Sequence, residues 1–419
     1  MAQCHPESSS LNSNEDYQLS AYDYELPEAY IAQNPVTPRD SAKLLVLDGP
    51  TTHHHGRFRD LVNWLKPGDL LIINNTRVIP ARLFGRKQKK YKNGHQLADT
   101  TQMEGASPLT ATPSTAKGAA VEVLLIEPLA ADRWLALVKP GRRLQPGTQI
   151  VFSAPGGSVD TGSKNGPGSD DTPEIPLMTA LVESRDEETN GRILKLTPYT
   201  ANGLPERSIN ELIYELGQVP LPPYITRSEA LPEQYQTVYA QRQGAIAAPT
   251  AGLHFTERLL RQLADKGVET AEVTLHVGIG TFRPVEVSAI ETHQMHQERI
   301  DVPAETVEKI RQTKANGGRV IAVGTTSTRA LEGATALSGE LQSYQGKTDI
   351  FIYPGYQWQV IDGLITNFHL PGSSLLMMVS ALMGRQRLMD IYQDAIAHQY
   401  RFYSFGDAML ILPDATVNA

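Results

Sequence analysis

Apolar positions follow two rhythms along this chain. Between Thr256 and Gly267, residues Leu259, Leu260 and Leu263, followed by Val268, fall near helical spacing and predict an amphipathic helix that Gly267 stops. Glycine-rich turns bracket it: GAIAAPTAGLHF, Gly244 to Phe255, and TLHVGIGTFRPV, Thr274 to Val285. VETAEVTLHVGIG returns as an apolar strand. The stretch therefore predicts strand, tight turn, helix, strand, with both turns at strand ends, where open α/β sheets place ligands.

The same reading extends both ways. ELPEAYIAQNP predicts a short helix stopped by Pro35, Lys43 to Asp48 a strand, HHHG (His53 to Gly56) a loop, and FRDLVNWLKPGD a short helix. LLIINNTRVIPARLFGRK predicts two strands joined at Asn75–Thr76. From Leu83 to Pro220 the second rhythm takes over. VEVLLIEPL, RWLALVKP, TQIVF, PLMTALVESR and GRILKLTPY are short strands separated by Gly/Pro turns, as in a small β-barrel or sandwich. SINELIYELGQ then predicts a helix with Ser208 as N-cap and Glu211 completing a capping box. Beyond the central stretch, AETVEKIRQTKANGG is a helix and RVIAVGTTSTRALEG a strand, turn and helix. TDIFIYPG and QVIDGLITNFHLP are strands, SSLLMMVSALMG is a helix capped by Ser373 or Ser374, and RFYSFGDAMLIL is a last strand. Helices alternating with buried strands give an α/β layer structure.

Composition narrows the class. The chain has 419 residues, 40% of them hydrophobic and 20% charged, and a formal net charge of −8. That size suits two or three domains. No apolar run is long enough to span a membrane. The polar start MAQCHPESSSLNSNED is not a secretory signal and reads as a disordered tail over 1–16. One cysteine, Cys4, excludes an intramolecular disulfide and fits a reducing cytoplasm. Residues 57–92 hold ten Lys/Arg against Asp60 and Asp69, a stripe suited to phosphates or to plain solvation. Stretches 93–118 and 153–173 are rich in Gly, Ser, Thr and Pro and read as disordered insertions.

The turns carry the candidate chemistry. Pro249 ends ladder pairing, Thr250 or Thr256 can cap the helix, Gly252 permits close approach, and His254 titrates near neutrality. VGTTSTRALEG, Val323 to Gly333, offers hydroxyls, N–H groups and Arg329 to a carboxylate, but lacks Walker spacing. VGIG is too short for a dinucleotide fingerprint. HQMHQE, His293 to Glu298, is not the H-E-x-x-H zinc pattern, and three adjacent histidines at 53–55 cannot all face one ion from regular structure, so no metal is expected. NFHLPGSS, Asn367 to Ser374, repeats the first turn's logic of imidazole, proline, glycine and hydroxyl. Together these turns suggest a polar pocket for a multifunctional ligand.

YELPEAYIAQNP with PRDSAKLLVLD, INNTRVIPARLFG, YQTVYA, GAIAAPTAGLHFT, LHVGIGTF, HQMHQE, VGTTSTRALE and NFHLPGSSLLMMVSAL resemble, in order from Tyr17 to Leu412, the motifs of the S-adenosylmethionine:tRNA ribosyltransferase-isomerase family of queuosine biosynthesis. Lys43 stands where family members often carry Arg. The resemblance implies a discontinuous α/β domain, 17–82 and 221–419, with a β-barrel domain, 83–220, inserted. It implies transfer and isomerisation of the ribosyl group of S-adenosylmethionine onto 7-aminomethyl-7-deazaguanine at the tRNA wobble position of a GUN anticodon. The products would be epoxyqueuosine-tRNA, adenine and methionine. S-adenosylmethionine would be a co-substrate, with no regenerated cofactor.

That reaction needs a base for the amine, loss of a proton beside the sulfonium, and protonation of departing adenine. The candidates are His254, His276, His293, His296 and His369, with His254 and His276 favoured because both lie in the central unit. Arg283, Arg329, Thr325 and Ser327 are expected at the methionine carboxylate, and Gly252 and Gly280 at adenosine. Thr250, Phe255, Gly278, Thr281, Glu298, Asn367 and Ser373 complete the expected substrate set. Asn75, Arg77, Arg82, Tyr235 and Tyr239 are expected at the tRNA, the tyrosines by stacking on an unpaired base. No surface heptad argues for a dimer, so a cytoplasmic monomer is expected. Two rivals predict other products: an RNA methyltransferase would give methylated RNA, and a non-catalytic RNA-binding protein neither product, though the −8 charge speaks against it.

Overall fold

The structure is a computed structural model that describes residues 14–88, 118–154, 176–199, 207–278 and 285–417. The expected insertions lie almost wholly outside the described residues, as do most of the tail and Gly280, Thr281 and Arg283. The end of the tail is held in place: the Arg385 guanidinium bonds Asp16 at 2.6 Å and Glu15 at 3.1 Å.

In chain order the strands are β1 Lys43–Leu47, β2 His53–Arg57, β3 Leu70–Asn74, β4 Thr76–Val78, β5 Arg82–Lys87, β6 Ala120–Pro128, β7 Arg133–Lys139, β8 Gln149–Ser153, β9 Pro176–Arg185, β10 Arg192–Pro198, β11 Gly217–Gln218, β12 Arg242–Ala245, β13 Glu269–His276, β14 Glu298–Val302, β15 Val320–Val323, β16 Tyr344–Thr348, β17 Gly363–Asn367 and β18 Ala408–Ile411. The α-helices are α1 Leu61–Trp64, α2 Ile209–Leu216, α3 Glu257–Asp265, α4 Ala304–Ala315, α5 Gly324–Ser338, α6 Ser374–Met383 and α7 Arg385–Ala397. Two compact units result, one of residues up to Ile79 with those from Leu221, the other Pro80–Pro220.

The first unit holds a mixed nine-stranded sheet in the order β16-β14-β13-β3-β15-β17-β18-β1-β2. Its centre is parallel: β13, β3, β15 and β17 run the same way. Successive residues feed opposite cores. Leu45, Leu70 and Ile72 pack on the face that carries α4 to α7, and Leu44, Leu71 and Ile73 on the face that carries α1 and α3. Burial on both faces explains why KLLVL and LLIIN are unbroken apolar runs.

The second unit is an antiparallel barrel, β5-β6-β7-β10-β9-β8, closed by β5 pairing back to β8, with β11 added beside β5. Closure removes both sheet edges. Buried Val121, Val123 and Leu125 alternate with residues facing outward along β6, the period-two signature that predicted these strands. Ser208 caps α2 with both arms of the capping box formed.

Four expectations are corrected. HHHG is an edge strand, because its backbone pairs antiparallel with β1. ELPEAYIAQNP shrinks to the 3-10 turn Glu28–Tyr30, because Ile31 leaves it to bridge Phe402. TDIFIYPG leaves the ladder after Thr348, the last residue of β16: Ile352 packs with Met378 and Ala381 instead. LLIINNTRVIPARLFGRK makes three strands, with β4 pairing β12 separately.

Candidate active site

The C-terminal ends of β13, β15 and β17 open onto one cavity of about 350 Å³. The 247–251 turn, the first turn of α5, the loop from Thr366 to Pro371, and Tyr403–Ser404 line it, with Val277, Tyr224 and Tyr235. Three motifs singled out in sequence therefore meet at one place, GAIAAPTAGLHF, VGTTSTRALEG and NFHLPGSS. Gly324 joins β15 to α5 with φ of +87°, and Ala251 packs 3.5 Å from where a Cβ at 324 would stand. A side chain there would be strained by its backbone alone.

No Asp, Glu, Lys or Arg lines the cavity among the described residues. Its polarity comes from hydroxyls, amides and a helix end. α5 starts after Val323 with no side-chain cap, so the positive end of a fifteen-residue helix borders the cavity at Gly324, Thr325 and Thr326. The Thr326 hydroxyl and the Tyr403 hydroxyl are buried without a hydrogen-bond partner. Each such group costs about 1–3 kcal/mol, which a polar ligand would recover. Tyr403 also has φ of +72°, a conformation that bulky residues adopt at functional sites. Its ring lies 4.2 Å from Tyr224, whose hydroxyl meets Ser404 Oγ at 2.5 Å.

The predicted histidines separate. His254 does not line the cavity. It is fully buried, stacked on Phe58 at 4.9 Å, and its Nε2 accepts from Asn367 Nδ2 at 3.3 Å. Thr250 Oγ1 in turn donates to Asn367 Oδ1 at 3.0 Å, so the imidazole holds an amide that holds a cavity hydroxyl. Burial, then the charges of Arg39 and Arg401, keep His254 neutral. His276 also lies off the cavity, bonded through Nδ1 to Thr76 Oγ1 at 2.8 Å. Burial and the charges of Arg299 and Arg242 push it down to about 4. His369 does line the cavity. Its Nε2 meets Thr366 Oγ1 at 2.7 Å, and burial lowers it to about 3. His293 packs edge-on against Phe351 in irregular backbone, and neither it nor His296 borders the cavity.

Thr250, Thr325, Asn367 and Ser373 line the cavity as expected. Gly252 packs against Tyr239, and Phe255 is core, edge-on to Phe58. Ser327 bonds the Val323 carbonyl at 2.8 Å inside α5. Arg329 is 3% exposed and paired with buried Glu298, whose other oxygen accepts from Gly278 N at 3.2 Å. Arg329 Nη1 is committed to Glu298 while its Nη2 is buried without a hydrogen-bond partner, and neither residue lines the cavity. On the RNA side, Arg77 is exposed on β4. Asn75 is buried, tied to Glu272 at 2.7 Å and Thr274 at 2.7 Å, and Arg82 pairs with Glu122 at 3.4 Å. Tyr235 is fully buried in the cavity wall, so its ring is not offered to a base, and Tyr239 is partly buried with its hydroxyl enclosed.

Tyr224, Thr326, Tyr403 and Ser404 were not anticipated. Thr326 lies within VGTTSTRALEG, whose hydroxyls the sequence offers as a group without singling it out, while LPPY and RFYSFG read only as a connection and a last strand, and the positive φ of Tyr403 has no mark in sequence.

A model of queuosine biosynthesis proteins matches residues 19–411. The chain belongs to that family. It is 54% identical to the S-adenosylmethionine:tRNA ribosyltransferase-isomerase of Trichormus variabilis, over 96% of this chain and 94% of the relative. Against the enzyme of the same name from Thermotoga maritima it is 44% identical, over 94% and 99%. A crystal structure of a Thermotoga maritima S-adenosylmethionine tRNA ribosyltransferase, 37% identical, covers 94% of this chain and all of its own, with a TM-score of 0.47. Membership in the queuosine family rests on the sequence matches. No helix among the described residues is long and apolar enough to cross a membrane.

Proposed function

We infer that this chain is an S-adenosylmethionine:tRNA ribosyltransferase-isomerase of queuosine biosynthesis. It moves the ribosyl group of S-adenosylmethionine onto 7-aminomethyl-7-deazaguanine at the tRNA wobble position and releases adenine and methionine. S-adenosylmethionine is consumed as a substrate and no further cofactor is proposed. The observation that carries the reading is the cavity, where three family motifs converge on partnerless hydroxyls.

S-adenosylmethionine occupies that cavity in this proposal. The uncapped N-terminus of α5 takes the methionine carboxylate, the role expected of Arg329. Tyr224 and Tyr403 flank the adenosyl group, and Thr326 and the Tyr403 hydroxyl bond its polar atoms. His369, neutral at pH 7, acts as a hydrogen-bond partner at the cavity wall. His254 positions Asn367 and Thr250. His276 sits against Gly244, where an added Cβ would lie 2.9 Å from its ring, and fixes the backbone entering the first turn. Arg77 is the exposed cation proposed for the anticodon stem-loop of a GUN tRNA, and the working form is a cytoplasmic monomer.

The test is incubation with S-adenosylmethionine and a tRNA bearing the aminomethyl-deazaguanine base. Free adenine and a matching mass gain on the tRNA, both dependent on the modified base, are expected. Methylated RNA without adenine would overturn the reading in favour of a methyltransferase.

A further inference from the structure

Away from the cavity, at one edge of the sheet, β2 places two histidines on one face. Alternate residues of a strand share a face, so His53 and His55 point together and His54 points away, to Asp48 at 2.9 Å and the ring of Trp64. Facing them is Asp394 on α7. Its Oδ2 lies 3.5 Å from His53 Nε2 and 3.2 Å from His55 Nε2, and the three ligand atoms fall within 4.8 Å of one another. In a tetrahedral site with bonds of about 2.0–2.2 Å, ligand atoms stand about 3.4 Å apart.

The surroundings orient these groups. Tyr400 donates its hydroxyl proton to the Leu44 carbonyl at 3.3 Å, so the same oxygen accepts from His55 Nδ1 at 2.9 Å. The neutral His55 ring then carries its proton on Nδ1 and turns a lone pair on Nε2 toward Asp394. His398 Nδ1 meets the Asp394 backbone carbonyl at 3.0 Å and lies 3.1 Å from the other carboxylate oxygen, Oδ1, and its ring stacks on His55 at 4.2 Å. Asp394 Oδ2 itself has no hydrogen-bond donor. Two imidazole nitrogens and one carboxylate oxygen thus converge, and Tyr400 fixes His55 from behind, as outer partners at metal sites orient their ligands. A positive charge also acts on His55 from Lys43, whose Nζ donates to the carbonyls of His398 and Gln399 at 2.6 and 3.0 Å.

We propose that His53, His55 and Asp394 bind one divalent transition-metal ion of the zinc class, with water completing its coordination. Imidazole with carboxylate suits zinc, cobalt or nickel better than calcium or magnesium. The ion would bolt edge strand β2 to α7. Adjacent histidines argued against this site in the sequence. Strand pairing supplies two of them, and α7 supplies the carboxylate from more than three hundred residues away.

The test uses untagged, chelator-treated full-length protein titrated with Co²⁺, followed by visible absorption and displacement by Zn²⁺. One saturable ion per chain is expected. Asp394→Asn and His55→Ala should each weaken binding more than about tenfold, and Tyr400→Phe by about tenfold through lost orientation. His53→Ala, at a partly exposed edge position, serves if the others fold poorly, and Lys43→Met should tighten binding. His293→Ala should leave it unchanged. Absence of saturable Co²⁺ absorption, or a signal that persists in folded His53→Ala and Asp394→Asn, would overturn the site.

Discussion

The buried pair of Arg329 and Glu298 gives the sharpest contrast between expectation and structure. Their side chains are 3% and 2% exposed. Arg329→Met keeps the side chain's bulk but leaves the Glu298 carboxylate in the interior with its Gly278 N–H contact and without its cation. Removing one partner of a buried pair costs about 3–5 kcal/mol, because the survivor remains charged and desolvated. Glu298→Gln should cost a similar amount by stranding the guanidinium. In the double variant no charge is left behind, so its loss should fall short of the two singles combined by at least about 2 kcal/mol. Urea unfolding followed by tryptophan emission reads this, since Trp64 and Trp358 both report on the α/β unit. If Arg329→Met left the urea midpoint unchanged and instead abolished S-adenosylmethionine binding, Arg329 would be the substrate ligand read from sequence, and the structural account of the pair would be refuted.

Two other outcomes follow from the same geometry. His254, His276 and His369 are all held neutral by burial, while in the unfolded chain they protonate below about 6.5. The unfolded state then binds more protons, so stability should fall as pH drops from about 6.5 toward 4. Each group adds up to about 1.4 kcal/mol per pH unit. Urea midpoints from pH 7 to 5 check this, and a flat profile would contradict it. At Gly252 an added Cβ would lie 2.1 Å from the Tyr239 hydroxyl oxygen. Gly252→Ala should cost about 1–3 kcal/mol and Tyr239→Phe in the same chain should recover part of it; absence of recovery would locate the strain elsewhere.

Periodic and capping signals in the sequence translated into structure residue by residue. Ser208 caps α2, Thr256 caps α3 by accepting from Leu259 N, and Ser373 caps α6, because caps are local bonds between near neighbours. The barrel strands were legible because period-two burial leaves a trace on every strand. What failed was set at long range. His53–Gly56 becomes a strand only because β1 lies beside it, and α7 passed unnoticed in a segment dense with Arg, Gln and Asp. At the site, the turns were visible through Gly, Pro and Ser/Thr spacing, yet the roles were not. A sequence shows that Arg329 and His254 sit in motifs. It does not show that Glu298 claims the first or that Phe58 and Asn367 enclose the second.

The central claim is that the cavity beneath the 247–251 turn holds S-adenosylmethionine. Ala248 lines it and is 5% exposed, so Ala248→Leu puts an isopropyl group into the space. Equilibrium dialysis of labelled S-adenosylmethionine against wild type and folded variant measures the consequence directly. The account predicts that affinity falls at least about a hundredfold, or about 2.7 kcal/mol, with the melting transition preserved. Unchanged affinity in a folded Ala248→Leu protein would contradict it and move the substrate site elsewhere.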